Sequence, residues 1–271
     1  MERLSAVMEE KIKIIVCGAR GRMGRELISL IQEEKKWELV GAVESPIHPD
    51  IGKQISEKVR ITSHLEDVIQ NEKVVIVEFT NPSATLEHLQ TAKEKGMPHV
   101  IGTTGFENWQ VEEIKKASEK IPILFSPNMS IGINLLFALV KEVANILNDF
   151  DKEIIEAHHN LKQDAPSGTA LRIAQILAEV QGKDLPKIAV YGRKGIVGKR
   201  KKEEIGIHSV RGGTIVGEHT VIFAGEGERL EITHKAESRR IFARGALFAA
   251  EFIANKEKGL YDLQDALGIK K

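Results

Sequence analysis

The chain has 271 residues, of which 42% are apolar, and it carries 39 basic and 39 acidic side chains, a composition typical of a soluble globular protein with one large or two smaller domains. Affinity for nucleic acid is built from a surplus of lysine and arginine, so a formal net charge of zero argues against a nucleic-acid partner. No segment approaches the roughly 18 to 20 consecutive apolar residues that cross a bilayer, which argues against a membrane partner as well.

The first half of the chain predicts a Rossmann-like, doubly wound parallel sheet. After a polar lead-in at residues 1–10, to which we assign no function, the order is strand, helix and strand: KIKIIVCG, RMGRELISLIQEEKK and WELVGAVE. Further apolar runs recur at residues 74–79, 99–104 and 121–126, with helical segments between them. Because runs that are apolar on both faces are typical of parallel strands covered by helices, we expect an α/β domain over residues 11–130.

The pattern changes after Asn128. One long helix is predicted over residues 131–149 and another over about 168–181, followed by strands without helices between them: IAVYGR, IGIHSVRG, EHTVIFAG and RLEITHKA. This order predicts a second, α+β domain with a mixed sheet over residues 131–239. The remaining segment, 240–271, is expected to return to the first domain and complete it.

The loop GARGRMG lies directly between the first predicted strand and helix. Gly18 permits a tight turn, Gly21 lets a pyrophosphate approach the backbone, and Gly24 lets the helix pack closely on the sheet. The spacing is G-x-x-G-x-x-G rather than G-x-G-x-x-G, so a plain structural turn is the alternative. Glu44, at the end of the second strand, is placed to accept hydrogen bonds from ribose hydroxyls, and the combination predicts a nicotinamide dinucleotide site.

The choice between NADH and NADPH stays open from these residues. Ser45 follows Glu44 where an arginine would favour a 2′-phosphate, so we expect NADH to be accepted. Arg20, Arg22 and Arg25 could still bind a 2′-phosphate, so NADPH also remains a possible cofactor.

Two more loops follow predicted strands of the first domain. They are GTTG, residues 102–105, and SPNMS, residues 126–130. Ligands of doubly wound sheets bind at the carboxyl ends of the strands, so these loops could hold the nicotinamide carboxamide and ribose. The alternative is that both loops are ordinary turns that bind no ligand.

The polar stretch EIIEAHHNLKQDAPSGTA, residues 153–170, predicts a substrate site. As a strand, its start places His158 on the same face as Ile154 and Glu156. Lys162 follows, and the loop then enters Ser167-Gly168-Thr169, which resembles a helix N-terminus whose backbone N–H groups bind carboxylates. This indicates an anionic substrate beside a group that can move a proton.

The structural alternative is that His158 is only hydrogen-bonded, that Asp164 caps the helix and that Pro166 shapes its start. A metal site is not expected, since no third ligand follows the histidine pair at a characteristic spacing and Cys17 is the single cysteine. One cysteine cannot form an internal disulfide, which favours a reducing, cytoplasmic location.

These motifs, with VRGG, GEHTVIFAGEGERLEITHKA and SRRIFARGAL further along, resemble the bacterial dihydrodipicolinate reductase (4-hydroxy-tetrahydrodipicolinate reductase) family over residues 13–267. The resemblance implies reduction of a cyclic dicarboxylate by NADH or NADPH in the diaminopimelate route to lysine. It also implies a nucleotide domain joined by hinges to a domain that binds substrate and forms a homotetramer.

The resemblance also carries residue roles. It implies that His158 is the catalytic proton donor, assisted by Lys162. It implies substrate binding by His159, Lys162, Ser167, Gly168 and Thr169. It implies cofactor contacts by Gly18, Ala19, Arg20, Gly21, Arg22, Met23, Glu44, Gly102, Thr103, Thr104, Ser126, Pro127, Asn128 and Met129.

Two other functions remain as alternatives. One is a dehydrogenase of another small amino or keto acid, and the other is a non-catalytic NADH sensor that controls a partner. A sensor would need a partner-binding segment, and the candidate is the basic stretch at residues 192–202. We expect a mobile, solvated loop there, because Glu203 and Glu204 follow at once and no aromatic residues interleave.

Overall fold

The computed structural model describes residues 11–69 and 73–270. The chain divides into two compact units, Met1–Ser130 together with Arg240–Lys271, and Ile131–Arg239. The polar lead-in at residues 1–10 lies outside the described residues. Across the described part of the chain, no helix is both long enough and apolar enough to cross a membrane.

The first unit begins with strands that alternate with helices. In chain order its elements are β1 (Ile12–Cys17), α1 (Arg22–Glu33), β2 (Trp37–Val43), β3 (Ile61–Thr62), β4 (Val75–Glu78), α2 (Pro82–Lys95), β5 (His99–Ile101), α3 (Asn108–Ser118) and β6 (Pro122–Phe125). Local sequence sets the helix ends. Helix α2, for example, starts where the Asn81 side chain accepts the Ala84 N–H, with Pro82 in the first turn, and it ends at Gly96 in the left-handed region.

The second unit is an α+β unit. Its elements are α4 (Ile131–Ile146), β7 (Asp151–His158), α5 (Gly168–Val180), α6 (Leu185–Ile188), β8 (Ala189–Tyr191), β9 (Ile205–Arg211), β10 (Gly217–Ala224) and β11 (Arg229–Ala236). The five strands form one sheet in the order β11-β10-β7-β9-β8, in which β10 is antiparallel to both of its neighbours and the other pairs are parallel. This mixed sheet confirms the prediction for the second half of the chain. One of its faces packs against α4 and α5 around Ile154, Val221 and Phe223.

The chain then adds α7 (Arg240–Ile253), β12 (Gly259–Tyr261) and α8 (Leu263–Ala266) to the first unit. Strand β12 pairs with β6, and the sheet has the order β12-β6-β5-β4-β1-β2-β3 with every neighbouring pair parallel. Ile14 and Val16 face one apolar core with α1 and α7, while Ile15 and Ile76 face another with α2 and α3. Burial on both faces confirms the predicted doubly wound sheet.

The strand order also locates the ligand crevice of the first unit. From β1 the chain moves to β2 and β3 on one side, and then returns to β4 on the other side of β1. Ligands of such sheets bind outside the carboxyl ends of the strands at this switch point. The glycine loop after β1 and the segment after β4 meet there.

The basic stretch at residues 192–202, predicted to be a mobile, solvated loop, contains two arginines that pair with acidic residues of β7. Arg193 donates from both terminal nitrogens to the Glu153 carboxylate, each at 2.9 Å. Arg200 donates to the same carboxylate at 3.1 Å and to Asp151 at 2.6 Å. Most of the stretch is exposed, as expected of a solvated loop, and these ion pairs join it to strand β7 at two points.

Candidate active site

Close backbone contacts hold the glycine loop between β1 and α1. Gly18 has φ +80°, a conformation that favours glycine, and a Cβ there would lie 2.6 Å from the Phe79 carbonyl oxygen. A Cβ on Gly24 would lie 2.1 Å from the Gly18 carbonyl oxygen, so α1 makes its close approach to the loop backbone rather than to the sheet. Gly21 is the N-cap of α1 and offers no side-chain cap to the first-turn N–H groups, as an anion-binding helix start requires.

Glu44 follows β2 and lies beside the glycine loop. Its carboxylate accepts the backbone N–H of Arg20 at 2.8 Å. The Arg20 guanidinium pairs with Asp50 at 2.7 Å, and Arg25 donates from Nε to the Arg20 carbonyl at 3.1 Å. Two of the three arginines considered for a 2′-phosphate are therefore engaged by the protein itself.

A cavity of about 420 Å³ lies in the first unit at the predicted ligand crevice. Phe79, Thr80 and Phe242 line it and were not among the predicted residues. Ser126 is buried, and its hydroxyl donates to the Asn128 carbonyl at 2.9 Å. The predicted cofactor residues that line the cavity are Arg22, Met23, Gly102, Thr103, Thr104, Pro127, Asn128 and Met129. The predicted residues outside its lining are Gly18, Ala19, Arg20, Gly21, Glu44 and Ser126.

The loop after β5 is fixed against the end of β4. A Cβ on Gly102 would lie 2.3 Å from the Phe79 ring, so only glycine fits there without movement of the ring. The Gly102 N–H donates to the Glu78 carbonyl at 3.0 Å, and the Thr80 N–H donates to the Thr103 hydroxyl at 3.1 Å. These contacts explain why the loop needs its glycine and its first threonine.

In the second unit, His158 ends β7 and is hydrogen-bonded to a buried carboxylate. Its Nδ1 lies 2.5 Å from Oε2 of Glu156, which is fully buried on the same face of the strand. Arg211, the register partner of His158 on β9, contacts both oxygens of that carboxylate at 2.8 and 2.9 Å. The histidine is thus held by a carboxylate that is itself clamped by an arginine.

The charges of this array follow from its contacts. Burial alone would raise the pKa of Glu156, but hydrogen bonds from Arg211, Ser209 and His158 lower it to about 2. Burial lowers the pKa of His158 below its ordinary value, Glu156 opposes that shift, and Lys162 and Arg211 add to it. Glu156 is therefore a carboxylate at neutral pH, and His158 is held by a permanent negative charge.

Nε2, the other ring nitrogen of His158, lies beside Gly217, which has no side chain. A Cβ on Gly217 would lie 3.1 Å from Nε2 of His158. The ring of His219 makes an edge-to-face contact with that of His158, at 5.2 Å between centroids. Burial, followed by the charge of His158, lowers the pKa of His219 to about 3, so His219 is neutral. Nε2 of His158 is therefore the nitrogen that is not committed to Glu156.

The loop after β7 supplies the start of α5. Ser167, not Asp164, is the N-cap: its hydroxyl accepts the Ala170 N–H at 3.2 Å and lies 3.1 Å from Nε2 of His219. The Ser167 N–H donates to Glu156 at 3.2 Å, so the polar groups of Ser167 have partners within the protein. Asp164 instead pairs with Lys162 at 2.9 Å.

The remaining predicted substrate residues lie around the same helix start. Gly168 and Thr169 form the first turn of α5, and a Cβ on Gly168 would meet nothing within 4 Å. His159 follows His158 directly, and its buried Nδ1 has no hydrogen-bond partner among the described residues. Arg211 also donates to the Asp164 carbonyl at 2.6 Å, which ties this loop to the clamped carboxylate.

Sequence reasoning missed Glu156, Arg211, Gly217 and His219. Glu156 carried a signal, because it alternates with His158 on the predicted strand. Arg211 belongs to the quoted VRGG motif, but its partner depends on how β9 pairs with β7. No pattern local to Gly217 or His219 indicates a neighbour on β7, since β10 lies far along the chain.

Comparisons with known proteins cover almost the whole chain. Two family models match it. The model of the dihydrodipicolinate reductase N-terminus matches residues 12–129, and the model of the dihydrodipicolinate reductase C-terminus matches residues 132–267. A 4-hydroxy-tetrahydrodipicolinate reductase of Syntrophus aciditrophicus is 47% identical over 96% of this chain and 99% of its own length. A protein of the same description from Syntrophotalea carbinolica is 48% identical over 96% of this chain and 100% of its own length.

Solved structures agree with this result. A dipicolinate-bound dihydrodipicolinate reductase from Paenisporosarcina sp. TG-14 has a TM-score of 0.77 and 27% identity, and the match covers 93% of this chain and 98% of that one. An amine dehydrogenase from Mycobacterium smegmatis has a TM-score of 0.56 at 12% identity, covering 94% of this chain and 96% of that one. The second likeness shows a shared fold alone.

Proposed function

The chain belongs to the dihydrodipicolinate reductase family, and from this premise we propose how its residues perform the reaction of that family. It catalyses the reduction of 4-hydroxy-tetrahydrodipicolinate to tetrahydrodipicolinate by NADH or NADPH, a step of lysine and diaminopimelate biosynthesis. The observation that carries the residue assignment is the array in which Arg211 clamps Glu156 and Glu156 holds His158, beside the start of α5.

The glycine loop fits a dinucleotide. Gly18 and Gly24 allow close backbone packing within the loop, and the start of α1 at Gly21 has no side-chain cap, so its N–H groups could bind a pyrophosphate. Glu44 is fixed beside the loop, where it could accept hydrogen bonds from ribose hydroxyls. Residues of the 420 Å³ cavity, among them Thr103 and Asn128, would hold the nicotinamide end. When bound, the cofactor supplies the hydride, which no protein side chain can provide.

His158 would deliver the proton that completes the reduction. With Nδ1 committed to Glu156, the donor is Nε2, beside Gly217. Glu156 stabilises the imidazolium without accepting its proton, since a pKa of about 2 leaves the carboxylate a very weak base. The free enzyme has a lowered His158 pKa, and the two carboxylates of the substrate would raise it, so protonation of His158 is favoured when substrate binds.

The substrate carboxylates would be bound by the loop after β7. Lys162 supplies a full positive charge and the first turn of α5 at Gly168 and Thr169 supplies backbone N–H groups and the helix dipole. His159 offers a further ring nitrogen beside the donor. The salt bridge between Lys162 and Asp164 is exposed enough for a substrate carboxylate to compete with Asp164.

We also propose a homotetramer in the cytoplasm. One face of the second sheet packs on α4 and α5, while the opposite face leaves Ile155 on β7 40% exposed and Val210 on β9 47% exposed. Self-association through that face would bury these side chains, in line with the tetramer that the family resemblance implies. Cys17 is free and buried, which suits a reducing compartment.

The test is oxidation of NADH and NADPH by the purified full chain, with substrate generated in place by a synthase from pyruvate and aspartate semialdehyde. The wild type should turn over, and His158→Gln should lower kcat by about 10²-fold or more, the range for a lost general acid. His64→Gln, an exposed histidine, is the control. Turnover that is unchanged in a folded His158→Gln protein would reject His158 as the donor, and no turnover by the wild type would reject the reaction.

A further inference from the structure

A group of titratable side chains lies buried in the first unit, on the face of the sheet that α2 covers. Cys17 and Glu78 are register partners at the ends of β1 and β4, His99 begins β5, and His88 projects from α2. Cys17, Glu78 and His99 are fully buried, and the His88 side chain is 14% exposed. None of the four has a role in the reaction described above.

The four side chains converge on the Glu78 carboxylate. Nδ1 of His88 lies 2.7 Å from Oε2 of Glu78, and Nε2 of His99 lies 3.6 Å from the same oxygen. The thiol sulfur of Cys17, a Glu78 oxygen and a His88 nitrogen all lie within 4.8 Å of one another. The cluster therefore brings one sulfur, one carboxylate and two imidazoles together in the buried interior of the unit.

His99 is the member that the protein alone does not account for. Both of its ring nitrogens are buried, and neither has a hydrogen-bond partner among the described residues. A buried polar side chain without partners is costly, and an apolar residue of the same size would avoid the cost. The nearest charged group to Nε2 is the Glu78 carboxylate at 3.6 Å, which is beyond hydrogen-bond distance, so an ion between the two would satisfy both.

We propose that Cys17, Glu78, His88 and His99 form a binding site for one divalent transition-metal ion of the Zn²⁺ class. One thiolate, one carboxylate and two imidazoles are a donor set that Zn²⁺ and Co²⁺ accept, whereas Mg²⁺ and Ca²⁺ require several oxygen ligands. Binding would release the thiol proton to solvent. The negative charges of thiolate and carboxylate then balance the ion, so no net charge is buried.

A bound ion would draw the donor atoms closer together. Tetrahedral bonds of about 2.0–2.3 Å place donor atoms roughly 3.3–3.8 Å apart. The donor atoms of Cys17, Glu78 and His88 now lie up to 4.8 Å apart, so the widest separation would have to contract by about 1.0–1.5 Å. Nε2 of His99 lies 3.6 Å from Oε2 of Glu78 and would complete the set as the fourth donor. His88, the partly exposed member, gives the ion a route from solvent.

The site would also adjoin the cofactor cavity. The Thr80 hydroxyl donates to the other Glu78 oxygen, and Thr80 lines that cavity. The proposal itself is independent of the reaction, because it concerns binding of an ion by residues that do not take part in proton transfer.

The experiment uses the full chain, treated with a chelator under reducing conditions and then titrated with Co²⁺. We expect saturation at one ion per chain, with the strong visible bands of four-coordinate Co²⁺ and a thiolate-to-metal charge-transfer band that Zn²⁺ abolishes by displacement. Cys17→Ala should lose the charge-transfer band, and His99→Phe should weaken Co²⁺ binding by about 10²-fold or more. His64→Gln, an exposed histidine outside the cluster, should bind as the wild type does.

Two results would overturn the proposal. One is the absence of the charge-transfer band in the wild type at saturating Co²⁺, and the other is a band that persists in Cys17→Ala. Thermal unfolding distinguishes loss of metal binding from loss of the fold. Zn²⁺ should raise the Tm of the wild type, as any ligand of the native state does, and should leave the Tm of a folded Cys17→Ser protein unchanged.

Discussion

Replacement of Glu156 by glutamine tests whether a clamped carboxylate controls the proton donor. The side chain keeps its shape but loses the charge that faces Arg211 and His158. Arg211 then lacks its ionic partner. His158 loses the negative charge that raises its pKa against the effect of burial. Both a structural and a catalytic consequence follow.

The magnitudes come from these contacts. Hydrogen bonds to charged groups contribute about 1.5–3 kcal/mol each, and the Arg211 side chain is 20% exposed and so regains part of its hydration. We therefore expect the free energy of unfolding to fall by about 2–3 kcal/mol. We expect kcat to fall by about 10²-fold, because the donor is less often protonated and less well oriented.

The pH dependence has a definite sign. A proton donor works below its pKa, and loss of Glu156 lowers the pKa of His158. The basic limb of the kcat profile should therefore move to lower pH in Glu156→Gln, and Glu156→Asp should restore part of the shift. A merely structural role would lower kcat without moving the limb.

The assay is steady-state reduction with substrate generated in place, measured over about pH 5 to 8. Glu153→Gln is the matched control, because Glu153 lies three residues away on the same strand, is also paired with arginine, and faces the opposite side of the sheet. Light scattering should verify that both variants have the assembly of the wild type. A folded Glu156→Gln enzyme with wild-type kcat and an unmoved limb would refute the reasoning.

Four further predictions follow from the same structure. Glu44→Gln should raise the KM for NADH by about 10-fold or more, since one charged hydrogen-bond acceptor is lost, and should leave kcat at saturating cofactor near the wild-type value. An unchanged KM would show that Glu44 is not part of the cofactor site. Gly24→Ala should lower the free energy of unfolding by about 1–3 kcal/mol in urea, because its Cβ would meet the Gly18 carbonyl oxygen, whereas Gly212→Ala, whose Cβ meets nothing within 4 Å, should not. Glu156 should contribute stability that is fully present above its unfolded pKa of about 4.3 and is lost as the pH falls toward its folded pKa of about 2. The free energies of unfolding of the wild type and Glu156→Gln, measured in urea, should therefore converge over that range. A constant difference between them would contradict the assignment. Ile155→Glu should shift the assembly to smaller species in light scattering, and a tetramer that persists would show that the open face of the second sheet is not the interface.

The sequence by itself determined the elements of the first unit and predicted which of its loops would bind a ligand. Strand β1, the glycine loop and α1 are contiguous, so the chemistry of each residue acts on its neighbours, and the pattern G-x-x-G-x-x-G predicts both the turn and its use. The alternation of apolar runs with amphipathic helices likewise specified a parallel sheet before any pairing was known. The stretch from His158 to Thr169 indicated an anion site next to a proton donor for the same local reason.

Only the tertiary structure decided which partners these residues meet. Arg211 lies 55 positions from Glu156, and the pairing of β9 with β7 brings the two together. The same holds for His219 beside His158, for Phe79 against Gly102, and for His99 beside Glu78. Sheet register sets such contacts, and register is fixed by packing of the whole strand rather than by residues next to the site, so no local pattern in the chain could reveal them.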